Sequence, residues 1–251
     1  MSIRNLIRLI VLTTIAALPA YTLADTLKIG TDSWPPFRDI KNNQVAGIDD
    51  DLWQELSQQL GFKVQYIQCP WKRCLDLMRS GELDAMSGLA WRKERAEYIR
   101  YVDPSYYGCS TRFYVRAGEE ERLQRKEQLK KLNIGMVRGS AYYPEFDNDS
   151  SLQKMQMAQE SVLLPLLASG RIDSYIGTDC QADFELANSR WSKQLVKAPF
   201  KPGNTTPLYI GFSKKSRWSQ QAQSFSEAIR QTLANDFDSK VQQKYYQSTQ
   251  R

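Results

Sequence analysis

The sequence predicts an α/β protein built from two lobes, each holding a mixed, mostly parallel sheet flanked by helices. The first observation is that short aliphatic strands alternate with amphipathic helices over residues 26–90. The second is that the same alternation begins again near residue 132. The third is length, because 251 residues are enough for two domains of roughly 100 residues each.

The N-terminus has the pattern of a secretory leader. Arg4 and Arg8 lie beside an apolar run, residues 9–18, that is too short to span a bilayer as a mature helix. Residues 22–24 form a small-x-small cleavage site, so we expect residues 1–24 to be a signal peptide and the mature chain to start at Asp25. An uncleaved anchor is the alternative, and it fits less well because the run is brief and a proline precedes the cut.

The charge of the chain argues against a nucleic-acid partner. Lys and Arg number 34 against 28 Asp and Glu, a net charge of +6 that falls to +4 without the leader. This is a mild value for an exported protein. The basic residues are scattered except over residues 122–131, where they alternate with glutamate as on a solvated helix face.

The first lobe is expected to follow a β-α-β-α-β order. Gly61 stops the first helix, and two prolines after the first strand forbid both helix and sheet ladder there. In chain order we predict a strand at 26–31, a polar turn at 41–46, a helix from 47 to 60, a strand at 63–67, a helix at 71–79 and a strand at 83–89.

The second lobe repeats this pattern, and the chain then returns to the first lobe. Residues 106–116 are extended and aromatic, as expected of a segment that passes between lobes. We predict strands at 132–137, 152–158 and 173–177, helices at 141–146, at 161–169 and from 183, a returning strand at 208–213 and C-terminal helices over 218–246. Lobe 1 is therefore assigned to residues 25–108 with 205–251, and lobe 2 to residues 109–204.

Four cysteines remain after the leader, namely Cys69, Cys74, Cys109 and Cys180. An even number in an exported chain predicts two disulfides, with three connectivities open. The preferred pairing joins the close pair Cys69 and Cys74, which leaves Cys109 for Cys180. A metal site is a poor alternative because the chain has no histidine and no CxxC spacing.

Arg95 is the first candidate for a binding residue. It lies in a charged loop just past a predicted strand, within GELDAMSGLAWRKERAEYIRYVDPSYY at residues 81–107. In an open α/β sheet this is where a ligand usually binds. A guanidinium is a planar fork that suits a carboxylate. The alternative is an exposed arginine on an amphipathic loop.

The order of motifs resembles that of periplasmic solute-binding proteins of family 3, the amino-acid-binding receptors of ABC importers. The likeness covers essentially the whole mature chain through IGTDSWPPF, GIDDDLWQEL, the 81–107 stretch, IGMVRGSAYY, LLASGRIDSYIGTD and LYIGFSKKS. It implies a two-lobed fold of the type II periplasmic-binding-protein class, with two crossing strands and hinge closure around a small solute. It also implies a periplasmic monomer without cofactor or metal that an ABC permease or a membrane sensor recognises.

Several residues acquire roles from this resemblance. Trp34 and Trp71 match the places of two aromatic walls around the ligand, with core packing as the alternative for each. Arg95 matches the arginine that grips an α-carboxylate. Ser140 matches a helix start whose backbone N–H groups attract an anion, with a simple N-cap as the alternative. Gly47-Ile48-Asp49 matches a GFD-type signature, and we interpret the acids at residues 49–51 as the start of a helix whose dipole they complement.

The sequence departs from the family pattern at two places. The family usually has Ser or Thr where this chain has Ala90, and Arg92 stands where a Thr follows. Backbone groups of Gly88 and Ala90 remain able to bind a ligand. The family's ammonium-binding Asp falls on Thr178, and Asp179 comes one residue later. A slip of one residue in a strand turns a side chain to the opposite face, which puts amino-acid specificity in question.

Two other functions share this fold. A secreted dehydratase acting on prephenate- or arogenate-type acids would need acid–base groups, and without histidine the candidates are Lys93, Glu94 and Asp179. A sensory relative that has lost transport is the other. The receptor is the main prediction, and both of these remain alternatives.

Overall fold

The strands are arranged as one long mixed sheet with a small hairpin beside it. The structure is a computed structural model that describes residues 25–203 and 205–247, so the predicted leader lies outside the described residues. Over these ranges the sheet has nine strands, in the order β4-β1-β5-β11-β6-β9-β7-β8, with β10 also paired to β6. The strands are β1 Thr26–Thr31, β2 Asp39–Lys41, β3 Gln44–Ala46, β4 Lys63–Gln68, β5 Ala85–Ala90, β6 Ile99–Arg116, β7 Asn133–Val137, β8 Gln153–Met157, β9 Ser174–Thr178, β10 Leu195–Lys197 and β11 Thr205–Ser213.

Helices cover both lobes and the C-terminus. The α-helices of the described ranges are α1 Ile48–Leu60, α2 Trp71–Ser80, α3 Lys93–Ala96, α4 Pro144–Asp147, α5 Leu163–Ala168, α6 Asp179–Ala187, α7 Ala222–Ala234 and α8 Phe237–Val241. Short 3₁₀ helices occupy Glu120–Leu123, Lys126–Lys131, Glu160–Val162 and Arg217–Gln221, and a π-helix occupies Gln242–Gln247. Nowhere in the described ranges does a helix combine the length and apolar character that crossing a membrane requires.

Lobe 1 is built on β1, which pairs in parallel with β4 on one side and β5 on the other. Helix α1 covers this sheet with Leu52, Trp53 and Leu56, all fully buried and spaced to share one helix face. Gly61 ends the helix in the left-handed conformation, as the sequence predicts. Phe225 of α7 packs edge-on against Trp53. Apolar burial therefore fixes α1 and α7 on one face of the sheet.

Lobe 2 is built on β7, which pairs in parallel with β8 and β9. Strand β6 joins the two parts of the sheet, because it pairs antiparallel with β11 over Ile99–Ser110 and with β9 from Thr111. This 18-residue strand is the connection that the sequence suggests around residues 106–116. The lobe boundaries at residues 108 and 204 stay a prediction.

Two helix starts differ from the sequence-based expectation. Helix α6 begins at Asp179 and not at Asp183, directly after β9 and with Thr178 as its N-cap residue. Helix α4 begins at Pro144, because proline favours the first helical position, and it holds only four residues. Both shifts matter at the site, since they move the N-termini that flank the cleft.

The cysteines pair as preferred from the sequence. Cys69 and Cys74 are joined across 5.4 Å between Cα atoms, just before and within α2. Cys109 of β6 is joined to Cys180 of α6 with a Cα separation of 5.6 Å. The second bond spans 71 residues of sequence and the first only 5.

The difference in loop length predicts unequal contributions to stability. In the chain-entropy description, the long loop contributes about 4 kcal/mol and the short one about 2 kcal/mol. We expect the double variant Cys109→Ala/Cys180→Ala to lose more thermal stability than Cys69→Ala/Cys74→Ala, by roughly 2–4 °C per kcal/mol of difference. Melting of both oxidised double variants by circular dichroism measures this, and equal losses contradict it.

Candidate functional site

A cavity of about 70 Å³ lies between the lobes, where the carboxyl ends of β1, β5, β7 and β9 meet. This edge is where open α/β sheets bind ligands. Seven of the eight residues predicted from the sequence line it, namely Trp34, Trp71, Gly88, Ala90, Arg95, Ser140 and Thr178. Residues that sequence reasoning did not single out also line it, among them Asp32, Arg38, Tyr142 and Glu160.

Arg95 is buried at the cavity without a carboxylate partner among the described residues. Its side chain belongs to the short helix α3 and the residue is 6% exposed. One guanidinium nitrogen donates to the carbonyl of Ala90 at 3.1 Å, and the other donates to the carbonyl of Gly139 in lobe 2 at 2.8 Å. Burial lowers the pKa of Arg95, but arginine stays protonated in proteins. The cavity therefore carries a fixed positive charge with donor capacity to spare.

Three buried polar atoms at the cavity have no hydrogen-bond partner within the described ranges. They are Nε1 of Trp71, Oε1 of Glu160 and Oγ1 of Thr178. Buried polar atoms in folded proteins nearly always have partners, because an unmade bond costs about 1–3 kcal/mol. One donor, one carboxyl oxygen and one hydroxyl around the same space indicate a polar ligand.

Glu160 is the clearest acid of this cavity. It begins a 3₁₀ turn that follows β8, which ends at the same edge of the sheet as β7. The residue is partly exposed, but its Oε1 is buried. Burial raises the pKa of Glu160 well above its usual value, Glu185 and Asp32 raise it further, and Arg38 opposes them. A cationic group of a ligand would reverse this shift and hold the carboxylate ionised.

Glycine at position 177 leaves room for this acid. A Cβ built at Gly177 would lie 3.0 Å from Oε1 of Glu160. The sequence signal for Glu160 is weak, because an acid before an apolar run looks like an ordinary helix start. Strand β8 pairs in parallel with β7, so the segment after β8, which carries Glu160, lies at the same edge of the sheet as the cavity.

Arg38 lies where the resemblance predicts a ligand group. Its guanidinium carbon is 5.0 Å from the ring centre of Trp34 and 5.8 Å from that of Trp71. It forms ion pairs with Asp32 at 2.8 Å and with Asp49 at 2.6 Å. Burial alone would lower the pKa of Arg38, but the two carboxylates outweigh burial and raise it. Each tryptophan wall thus contacts the chain's own cation.

Asp49 has a different role from the one read from the sequence. It is 1% exposed and accepts hydrogen bonds from Ser87 at 2.7 Å and Tyr106 at 2.6 Å, besides its pair with Arg38. Burial and the neighbouring Asp49 raise the pKa of Tyr106 well above its usual value, so this phenol remains a donor. Asp49 is structural, as expected, but as the centre of a buried network and not only as a complement to the helix dipole.

Two predicted contacts are placed differently by the structure. Asp179 lies outside the cavity, because it starts α6 and its Oδ1 accepts from the backbone N–H of Ser110 at 2.8 Å. Ser140 lines the cavity but not as a helix start, since α4 begins at Pro144 and the Ser140 N–H donates to Val137. Strand β9 ends at Thr178, so of these two residues Thr178 lines the cavity and Asp179 does not.

The cavity mouth is bordered by charged residues and one tryptophan. Arg92 of lobe 1 forms an ion pair with Asp147 of lobe 2 at 3.2 Å. Trp91 is 54% exposed beside it. Lys93 and Glu94 are exposed at this mouth and do not line the inner cavity, so the groups proposed for an enzyme lie away from its polar centre.

Comparison with known proteins agrees with this architecture. Residues 27–248 match the bacterial extracellular solute-binding proteins, family 3. An amino-acid ABC transporter-binding protein, PatH of Vibrio harveyi, is 23% identical over 192 residues, which cover 73% of this chain and 75% of PatH.

Solved structures share the fold at low sequence identity. An ancestral arginine-binding protein bound to arginine superposes with a TM-score of 0.76 and 21% identity, covering 88% of this chain and 98% of the other. A histidine kinase sensor domain with similarity to periplasmic binding proteins gives a TM-score of 0.76 at 17% identity, covering 89% of this chain and 97% of the other. These likenesses show the fold, and the family match covers nearly the whole described chain. The chain therefore belongs to the bacterial extracellular solute-binding proteins of family 3.

Proposed function

We propose that this chain is a periplasmic receptor that closes around a small amino acid and presents it to an ABC importer. The observation that carries the proposal is the buried cavity between the lobes, with an uncompensated Arg95 and three unpartnered polar atoms. The family match and the similarity to PatH, an amino-acid ABC transporter-binding protein, support the amino-acid class. Export through residues 1–24 with cleavage after Ala24, and a monomeric state, are part of the same proposal.

The roles follow from the charges around the cavity. Arg95 binds the ligand carboxylate through its remaining N–H groups, and Trp71 adds its indole N–H. Glu160 and Thr178 receive the ligand ammonium, and Thr178 stands at the position where the family has its ammonium-binding acid. The ligand thus supplies a partner for each of the unpartnered atoms, and those contacts come from both lobes.

Binding then works by a shift of population between open and closed forms. Arg95 belongs to lobe 1 and already contacts Gly139 of lobe 2, while Glu160 belongs to lobe 2. A zwitterion bridging the two is bound fully only when the lobes meet, so its differential affinity favours closure. The closed surface is what a permease or a sensor would recognise.

Glu160 gives a pH-dependent prediction. In the unligated protein its pKa is raised, so between 4.5 and that value the folded state holds more protons than the unfolded chain, and stability falls as pH rises. The variant Glu160→Gln has no carboxyl group to titrate at this position, so this loss of stability with rising pH is absent. We expect the unligated variant to melt above the parent protein at neutral pH, by about 2–4 °C per kcal/mol gained, and to show less stabilisation by amino acids.

Calorimetric titration in two buffers of different ionisation enthalpy adds a second readout. A ligand ammonium ionises Glu160, so binding by the parent protein should release a proton, and this release should be absent in Glu160→Gln. Glu145→Gln is the matched control, because this exposed acid lies on α4 outside the cavity. Equal proton release by parent and Glu160→Gln contradicts the assigned role.

A second candidate function rests on the same acid. A buried carboxyl with a raised pKa in a cleft is a typical general acid, so a dehydratase would depend on Glu160 rather than on Lys93, Glu94 or Asp179. Prolonged incubation with prephenate-type acids, followed by absorbance, tests this. Turnover lost in Glu160→Gln would favour the enzyme over the receptor.

A thermal-shift screen tests the receptor. The mature chain, residues 25–251, is heated with each amino acid, with polyamines, with small carboxylates and with sugars. A true ligand at a hundredfold excess over Kd stabilises by about 2.7 kcal/mol, or several degrees. The proposal expects at least one amino acid to give this shift. A screen in which only sugars or polyamines stabilise the protein overturns it.

A further inference from the structure

The cation site between the two tryptophans is filled by the chain itself. The Arg38 guanidinium lies 5.0 Å from Trp34 and 5.8 Å from Trp71 and is held by two carboxylates. We infer that Arg38 is a specificity-determining residue that blocks ligands with cationic side chains, so the receptor selects amino acids with small uncharged ones. This inference rests on the proposed function and adds the ligand class.

Arg38 is fixed in place and is not a mobile surface group. It is 4% exposed, and besides its two ion pairs its Nε donates to the carbonyl of Asp32 at 3.2 Å. Gly88 of β5 lets the guanidinium approach, since a Cβ there would lie 2.8 Å from Nη1 of Arg38. Removing such a group from its partners would leave Asp49 buried without its counter-charge, so a ligand does not displace it.

The space that remains suits a short side chain. At about 10–15 Å³ per water-sized group, a cavity of about 70 Å³ holds roughly five to seven such groups. That is comparable to the heavy atoms of glycine, alanine or serine. Arginine and lysine need far more room. The space between the two tryptophans that would accept a long cationic side chain is already occupied by the Arg38 guanidinium.

The charges support the same selection. Asp32 and Asp49, the acids that would otherwise pair with a ligand cation here, both already form ion pairs with Arg38. A second guanidinium or ammonium beside Arg38 would meet like charge in a desolvated site. What is left for the ligand is one guanidinium, Arg95, and one acid, Glu160. This pair matches a zwitterion without further charge.

Comparing the affinities of small and cationic amino acids for the parent protein tests the inference. Calorimetric titration of the mature chain with glycine, alanine, serine, lysine and arginine should give at least ~100-fold tighter binding for the best small amino acid than for arginine. Arginine bound as tightly as the best small amino acid overturns the role of Arg38 and leaves the receptor proposal standing. A failure of every amino acid to bind overturns the receptor proposal itself.

Arg38→Ala tests the mechanism of exclusion. The variant leaves two carboxylates and two aromatic faces around a vacated guanidinium site. We expect arginine binding to strengthen at least ~10-fold, and we expect guanidinium ion at millimolar concentration to raise the melting temperature of the variant but not of the parent protein. Arg100→Ala, at an exposed position of β6, is the control and should change neither.

The test of exclusion does not depend on whether the single variant Arg38→Ala folds. If Arg38→Ala is unstable alone, the double variant Arg38→Ala/Asp49→Asn removes the carboxylate left without its partner. The gain in arginine binding relative to alanine should persist in it. An unchanged preference for small amino acids in whichever variant folds contradicts the inference.

Discussion

Arg95→Ala should weaken amino-acid binding by about 100- to 4,000-fold, because breaking a buried, hydrogen-bonded charge pair costs about 3–5 kcal/mol. The unligated variant should keep the thermal stability of the parent or exceed it. Arg95 is a buried cation that donates to two backbone carbonyls, so its removal also removes the cost of burying a charge. Loss of binding with retained stability is the signature of a binding residue. A residue with a structural role would lose both.

Calorimetric titration and thermal melting measure the two effects. Arg95→Lys keeps the charge without the planar fork and should bind with intermediate affinity. Arg100→Ala, exposed on the neighbouring strand β6, is the control and should bind like the parent. Undiminished binding by Arg95→Ala contradicts the assignment of the carboxylate to this residue.

Asp49→Ala should be the most destabilising single substitution around the site. Its carboxylate accepts from Arg38, Ser87 and Tyr106 in a dry environment, and its removal takes one ion-pair partner from the buried guanidinium and leaves the Ser87 and Tyr106 hydroxyls without their acceptor. The expected cost is about 3–5 kcal/mol, or roughly 6–20 °C in melting temperature. Thermal and urea unfolding measure it.

Asp50→Asn is the matched control for this substitution. It changes the adjacent acid in the first turn of α1, which is partly exposed and accepts from Gln54 and Tyr66. Its effect should stay near 1 kcal/mol, the size of one hydrogen bond or of the interaction with the helix dipole. Similar losses of stability in both variants would contradict the network role of Asp49 and leave it only as an acid that complements the helix dipole.

The proposed ligand class follows from which charged groups of the cavity are already engaged in ion pairs. Among the residues that the structure describes, two cations and three acids line the cavity or lie directly behind it, and Asp32 and Asp49 both form ion pairs with Arg38. Arg95 and Glu160 are left, one on each lobe. A receptor for a zwitterion therefore needs no further residue, and the histidine kinase sensor with this fold shows that the architecture is not limited to transport proteins. Import remains part of the proposal.

The fold was largely predictable because its signals are local. Strand β1 alternates the buried apolar residues Leu27 and Ile29 with the exposed Thr26 and Lys28, and α1 has one apolar face and a glycine stop, so each is specified by its own residues. The position of Arg95 at the cavity was also predictable, since a charged residue in the loop after β5 lies at the ligand edge by topology alone. The helix starts at Asp179 and Pro144 were misplaced because cap residues shift by a few positions without changing the periodic pattern.

The inner wall of the site was much less predictable because its contacts are remote in sequence. Arg38 reaches Trp71 only after β1 and α2 have packed together, and in the sequence it looks like a polar residue after a proline turn. The buried Oε1 of Glu160 lies close to Gly177 of β9, a strand that follows Glu160 in the chain. Burial decides the chemistry of both residues, and burial of a charged side chain has no local signature.

The most direct test is a crystal structure of the mature chain with the amino acid that gives the largest thermal shift. The ligand carboxylate should lie within hydrogen-bond distance of the Arg95 guanidinium, with the ammonium at Glu160 and Arg38 still between Trp34 and Trp71. A ligand bound outside this cavity, or one whose carboxylate is held by residues other than Arg95, would contradict the account.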